Sequence, residues 1–325
     1  MAAKLLFSLR RSVWLLALLF ITSALPAHAQ YDDFDVEIQE GQFNFEYSND
    51  LNGYIISPNK HSGWNWANQE TQFLSIPSTR LQDGKHVVGL SGFGSLEYLD
   101  NIVFESPCHV KYICNNCFEY CTSLGSNEEG LNLPESIETI GDDAFYGCTG
   151  LRSVNLSSNL KSIGRSAFEK CTSLQSITLP KSLKVIREFA FRNCANFDNW
   201  GNFDGGGLES VVFEDGVDFY TNGVYGFYNH VFWGCANLSS VKLPNGTPGR
   251  FIIPMGTFGY CGNLKSIEFP TNTGKIEAMA FYRTGLESLD LTKIEWKEPF
   301  YLQGYYTFAA CKNLKTVTVK YMTKI

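Results

Sequence analysis

Four cysteines fall within fourteen residues, Cys108, Cys114, Cys117 and Cys121, and His109 stands beside the first of them. Thiolates and imidazole are common zinc ligands, and Cys114-x-x-Cys117 has the spacing of a thiol–disulfide pair. Either chemistry needs these side chains to converge, so the elements that carry them decide the matter. The other six cysteines show what those elements are. A phenylalanine is followed three residues later by cysteine at Phe118/Cys121, Phe145/Cys148, Phe168/Cys171, Phe191/Cys194, Phe232/Cys235, Phe258/Cys261 and Phe308/Cys311, with Phe281/Thr284 the one departure. Aligned on the phenylalanine, Cys117 shares the small-residue column of Ala144, Ala167 and Ala190, Cys114 the column of Gly141 and Gly164, and Cys121 the common cysteine column. Packing positions thus account for three of the four, and neither a metal centre, a redox pair nor any cofactor is expected. The cysteine column reads as buried free thiols acting as small hydrophobes. Close coils and an exported chain leave disulfides between neighbours open as the alternative.

The positioning element is a unit of 23 residues, written twice without interruption between Leu151 and Cys194 and recognisable over most of the chain. Five residues before each phenylalanine stand Ile113, Ile140, Ile163, Ile186, Phe227, Ile253, Ile276 and Gln303, of which only Gln303 is polar. After the cysteine comes L-x-x-[IVL]-x-[LFV], as in Leu174/Ile177/Leu179 and Leu264/Ile267/Phe269, whose closing alternation is that of a strand with one buried face. A unit this short cannot bury that face alone; stacking on its neighbours does, which makes a repeat solenoid. Each coil is expected to carry two short parallel strands, with A-F-x-x-C turning the corner as a short helical piece. At one strand spacing per coil, eight coils would span roughly 40 Å.

The pattern LxSIxLPxSLKxIGxxAFxxCxxL resembles the BspA-like leucine-rich repeat family, over about Leu74 to the end of the chain. The resemblance implies a right-handed leucine-rich repeat stack with short parallel strands. It also implies a secreted or cell-surface protein that adheres to proteins or glycans of a host or of neighbouring cells, with no catalytic motif.

Residues 1–29 place Lys4, Arg10 and Arg11 before the apolar run VWLLALLFI and Ala27-His28-Ala29 before Gln30, the layout of a secretory signal peptide. Its removal leaves 23 Lys+Arg against 33 Asp+Glu, a formal charge of −10, which makes nucleic acid an unsuitable partner. No later apolar run is long enough for a transmembrane helix, so secretion into the periplasm or beyond, or display at the cell surface, is expected. Residues 30–73 read as a small antiparallel β cap over the first coil, with turns at Glu40-Gly41 and Asn52-Gly53, and residues 74–325 as the solenoid.

The frame being repetitive, partner recognition falls to residues outside its inward columns. On the first strand one outward column is nearly constant (Ser153, Ser176, Ser210, Ser240, Ser266, Ser288 and Thr316), whereas the next varies freely (Asn155, Thr178, Val212, Lys242, Glu268, Asp290 and Thr318). The period also breaks once, with 18 extra residues between Phe191 and Phe232. The enlarged coil holds Trp200, Phe203, Phe219, Tyr220, Tyr225 and Tyr228 among glycines, a composition suited to contact surfaces, although such rings could equally fold back to plug a wider coil. Trp64 and Trp66, on the loop HSGWNWANQ, are further candidates. No Ser/His/Asp or paired-carboxylate spacing occurs. The reading is a binding or adhesion protein and not an enzyme; the alternative is a structural or self-associating envelope protein with no small-molecule chemistry, joined through the strand edge at TVTVKYMTKI.

The exported protein is expected to begin at Gln30, which mass spectrometry of the secreted chain checks; retention of residues 1–29 would refute it.

Overall fold

Residues that alternate inward and outward over only two to four positions make strands too short to stand alone, and each needs a neighbour in hydrogen-bond register. The computed structural model describes residues 42–59, 73–197, 203–221, 224–245, 251–294, 302–303 and 306–319. All of them belong to the second of the chain's two compact units, Ile38–Ile325.

Two parallel ladders run along the stack. One joins Val87–Leu90, Tyr112–Ile113, Thr139–Ile140, Ser162–Ile163 and Val185–Ile186, crosses a bridge from Ile186 to Phe227, and resumes at Phe251–Ile253, Thr273–Glu277 and Leu302–Gln303. The other is built in pieces, of which the longest pairs Ser176–Leu179, Ser210–Phe213 and Ser240–Lys242 with each serine opposite the next. The isoleucine column from Ile113 to Ile276 is buried, as are Ile177, Leu179, Val211 and Phe213 on the other ladder. Gln303 proves not to break its column, because Leu302 pairs with Ile276 and Gln303 with Glu277. The last coil has one more residue between strand and phenylalanine, so counting back from the ring landed one position late.

The first edge is covered by a hairpin. Phe43–Ser48 pairs antiparallel with Gly53–Pro58, and the latter lies parallel to Val87–Leu90, continuing the ladder. Gly53 allows the close approach, since a Cβ there would sit 2.5 Å from the Val88 side chain and 2.9 Å from the His86 carbonyl oxygen.

The corners are not helical. Among the described residues every named element is a strand. The residues two before and two after each phenylalanine from Phe118 to Phe308 have left-handed φ, from 50° at Ser166 to 76° at Gly234. That alternation turns successive N–H groups in opposite senses. In the Phe168 corner Ser166, Phe168 and Lys170 donate to Glu188, Ala190 and Arg192 of the next coil at 3.0, 2.7 and 3.0 Å. Glu169 and Cys171 donate back to Ser166 and Phe168 at 3.0 and 3.2 Å. A helix would keep its donors to itself; here half of them tie one coil to the next. Most left-handed positions are not glycine, and each costs roughly 1–2 kcal/mol, which the inter-coil bonds offset.

Inside the corners the phenylalanines form one column. Nine rings, from Phe93 through Phe118 to Phe308, follow one another at 5.1 to 5.7 Å between centroids and 2° to 23° between planes. Phe93 extends the column by one beyond the marked coils; Leu96 stands where its cysteine would be, so the Phe-x-x-Cys marker misses it. Phe43 of the hairpin meets Phe93 edge-on at 6.2 Å and closes the column.

The enlarged coil leaves this frame undisturbed. Its first insertion pairs Asn196–Phe197 with Phe203–Gly205, its second Tyr220–Thr221 with Val224–Tyr225, both antiparallel. Across it Phe191 and Phe232 still stack at 5.4 Å. Hairpins satisfy their own backbone groups, so extra length can leave the coil without breaking a ladder.

Phe168→Ala is expected to cost about 3–5 kcal/mol, against less than about 0.5 for Lys184→Ala on the exposed face. Chemical denaturation of both variants checks this, and equal shifts would refute the ring column as the source of stability.

Candidate functional site

The cysteine and histidine cluster is dispersed by the coil geometry. Cys117 and Cys121 are buried in successive packing columns, whereas Cys114 and Cys108 are half-buried, Cys108 beside the Ser136 hydroxyl at 3.5 Å. His109 lies against His86, ring centroids 3.7 Å apart and planes tilted by 34°. Among the described residues no group of three or more His, Cys, Asp or Glu side chains is placed to hold a metal ion.

All ten cysteines are free. Those of the column share one role that reading them as small hydrophobes omits: each thiol donates to the carbonyl of the preceding coil's phenylalanine. The distances are 3.1 Å for Cys148 to Phe118, 3.2 Å for Cys171 to Phe145, 3.1 Å for Cys194 to Phe168 and 3.0 Å for Cys311 to Phe281. Thr284, the one departure, also places a donor in this column but turns it to the phenylalanine of its own coil. Its Oγ1 donates to Phe281 O at 3.1 Å and lies 3.1 Å from Cys311 Sγ. Burial pushes these thiols up, Cys121 to about 12 and Cys148, Cys171, Cys194 and Cys261 well above the ordinary thiol range. A thiol held protonated is neither a nucleophile nor a metal ligand.

The outward columns are accessible and chemically mixed. Ser176, Ser240, Ser266 and Ser288 are exposed, as are Asn155, Thr178, Lys242, Glu268 and Asp290. Neighbours interact along the axis: Asn155 donates to Asn132, and Lys242 pairs with Asp215 at 3.3 Å.

A second outward surface lies on the corners, where residues one or two after several of the phenylalanines project. Tyr120 and Tyr146 meet edge-on at 5.3 Å, and the Lys170 ammonium donates to Tyr146 Oη at 2.7 Å, a bond that raises the lysine's pKa. Further along, Phe189 is covered by the Arg192 guanidinium at 4.6 Å and neighbours His230 at 5.5 Å. Arg192 is anchored by buried Glu169 at 2.6 Å. Trp233 follows at 5.1 Å from His230, then Tyr260 at 4.9 Å from Trp233 and Tyr282 at 5.5 Å from Tyr260. Arg283 lies over both tyrosine rings, 5.3 and 5.6 Å from their centroids. Burial first, and Arg192 second, depress the His230 pKa, favouring the neutral ring. Glycines of the next coil form the floor: a Cβ at Gly147, Gly256 or Gly259 would collide with the rings of Tyr120, His230 or Trp233. Reading the two columns after the phenylalanine would have found this ridge, since Tyr146, Arg192, Trp233 and Tyr282 take half the positions of one and Tyr120, Lys170, Tyr260 and Arg283 half those of the other.

The structure separates the aromatic candidates of the enlarged coil. Phe219 turns inward, stacked on Phe227 at 5.1 Å and edge-on to Phe213 at 6.2 Å, while Tyr228 is half-buried. Trp64, Trp66 and Trp200 lie outside the described residues, as do the side chains of Phe203, Tyr220 and Tyr225.

A family model described as the BspA type leucine rich repeat region matches six copies, over residues 71–129, 113–204 and 222–325. The fold is similar to the crystal structure of a leucine-rich repeat protein of T. pallidum, 26% identical, covering 70% of this chain and 89% of that one with a TM-score of 0.51. It is also similar to that of a leucine-rich repeat protein of Bacteroides ovatus, 22% identical, covering 88% of this chain and 71% of that one with a TM-score of 0.59. No curated protein matches the chain.

The buried thiols predict a labelling pattern. At pH 8 a thiol reagent should modify at most the half-buried Cys108, Cys114 and Cys311 of the native protein, and all ten cysteines after denaturation. Mass spectrometry counts the adducts, and rapid native labelling of Cys148 or Cys171 would contradict the coil geometry.

Proposed function

Because the chain belongs to the BspA-type leucine-rich repeat family, whose repeats are binding scaffolds, we propose that it is an exported protein that binds a protein or glycan on a host or neighbouring cell. In this reading residues 1–29 direct export, residues 30–73 cap the stack and residues 74–325 present the binding surface at the cell surface or in secreted form. One observation carries it: the inward columns are occupied by coil-to-coil packing, while the adjacent outward positions Thr178, Lys242, Glu268 and Asp290 are exposed and differ from coil to coil. A rigid frame with independently variable outward residues is how a solenoid discriminates partners. The column thiols from Cys121 to Cys261 are buried in the packing and so are poorly placed for chemistry. The hairpins of the enlarged coil, with Trp200, Phe203, Tyr220, Tyr225 and Tyr228, are a second place for contact, and Trp64 and Trp66 a third.

A self-associating envelope protein is the other reading, favoured by Val317 in the last described strand, Thr316–Thr318, and Val319 just after it, which occupy inward columns yet are 51% and 59% exposed.

Residues 30–325, immobilised against a panel of extracellular matrix proteins and cell-surface glycans, should show saturable binding to at least one member and sediment as a monomer at micromolar concentration. Replacing Asn196–Gly206 by a tight turn should weaken binding if the hairpin takes part. Concentration-dependent assembly with no partner bound would favour the second reading.

A further inference from the structure

The ridge on the corners carries more specific chemistry than the strand columns, and we infer that its stretch from Phe189 to Arg283 is a binding site for a linear acidic polysaccharide, one bearing carboxylate or sulfate groups. The inference rests on the adhesion reading and names a ligand class and a surface for it.

Ring faces come first. Trp233, Tyr260 and Tyr282 form a continuous aromatic strip with spacings of 4.9 and 5.5 Å, and Tyr260 is 39% exposed. Amphipathic rings accept the apolar side of a sugar while their polar edges remain wet, and the Arg283 guanidinium covers one side of the two tyrosines. The strip is held in place beforehand, because Gly256 and Gly259 let His230 and Trp233 lie down on the next coil's backbone. Rings positioned this way lose little freedom on binding, which removes a large part of the usual cost of ordering a contact surface.

Charge comes second. The chain holds 33 acidic against 26 basic residues, yet the three successive corners 229–234, 255–260 and 278–283 contain no Asp or Glu. Arg283, exposed, has no carboxylate partner among the described residues and lies over two of the rings, and Arg192 flanks the other end. With Arg192 held by Glu169, Arg283 is the charge that this ridge offers an anionic ligand on an otherwise acidic protein.

Shape comes third. The corners repeat along one axis at the 5.4 to 5.7 Å spacing of the underlying phenylalanines, so the platform is long, narrow and translationally regular. A linear polymer meets it repeatedly, whereas a globular partner would need a broad patch with a dry centre.

The test titrates residues 30–325 with heparin as the sulfated probe, polygalacturonate as the carboxylate probe and dextran as the neutral control, at 0.05 and 0.3 M NaCl. Binding to at least one acidic probe and none to dextran is expected, weakening as salt screens the charges. Arg283→Glu should lower affinity at least about tenfold and Tyr260→Ser by a similar factor, with unchanged melting temperatures because both residues are exposed. Lys184→Ala, exposed and in neither the corner ridge nor the outward strand columns, should bind as the parent does. No affinity for either acidic probe, or affinity indifferent to Arg283→Glu, would overturn the inference. In that event protein ligands still bound by Arg283→Glu would show that the adhesion reading survives and the ridge assignment alone falls. A protein ligand lost on Arg283→Glu, with neither polysaccharide bound, would make the ridge a protein site and refute the acidic glycan.

Discussion

One phenylalanine per coil, stacked on the phenylalanine of the next, is the contact on which the rest of this protein depends. Each ring fills its corner from within and sets the distance at which the neighbouring backbone must pass. That distance suits both parallel ladders and the corner hydrogen bonds, so Phe168 stacks on Phe191 at 5.2 Å while its amide donates to Ala190 and the Cys194 thiol donates back to its carbonyl. Ring, amide and thiol connect the same two coils. Stability is then a sum of nearest-neighbour terms rather than the property of one central core.

That arrangement explains the strain in the corners. Left-handed conformations at two positions per coil are unfavourable for residues such as Ser166, Lys170 and Phe189, and an isolated coil would relax them into a helical turn. In the stack, the alternation is what points three donors per corner along the axis. It also projects side chains after several of the phenylalanines outward, so a requirement of backbone bonding creates the ridge on which Trp233, Tyr260 and Arg283 stand. Where a large ring occupies one coil, glycine in the next supplies the floor, as Trp233 on Gly259 shows.

Insertions obey the same logic. The enlarged coil departs and returns through hairpins that satisfy their own backbone groups, leaving Phe191 and Phe232 in contact. Within it the two sequence accounts divide residue by residue: Phe219 joins Phe213 and Phe227 in the interior, whereas Tyr228 remains partly accessible.

The repeat, its two strands, the burial of the isoleucine and phenylalanine columns and the outward position of the serine column were all legible in the residues, because period and polarity are local properties that every coil states again. Three features were not. The corner conformation depends on hydrogen bonds to a coil 22 to 44 residues away, and no local propensity of A-F-x-x-C distinguishes a helical turn from an alternating one. The true register of Gln303 and the membership of Phe93 depend on which residues face one another across coils, which a count along the chain cannot see. The ridge depends on both, since Tyr260, Tyr282 and Arg283 become one surface only when corners that are distant in sequence are stacked. Sequence alone thus determined which residues face inward and that coils must stack to bury them. Tertiary structure decided how the corners turn and which outward side chains meet, because those outcomes are set by pairing between coils and not within them.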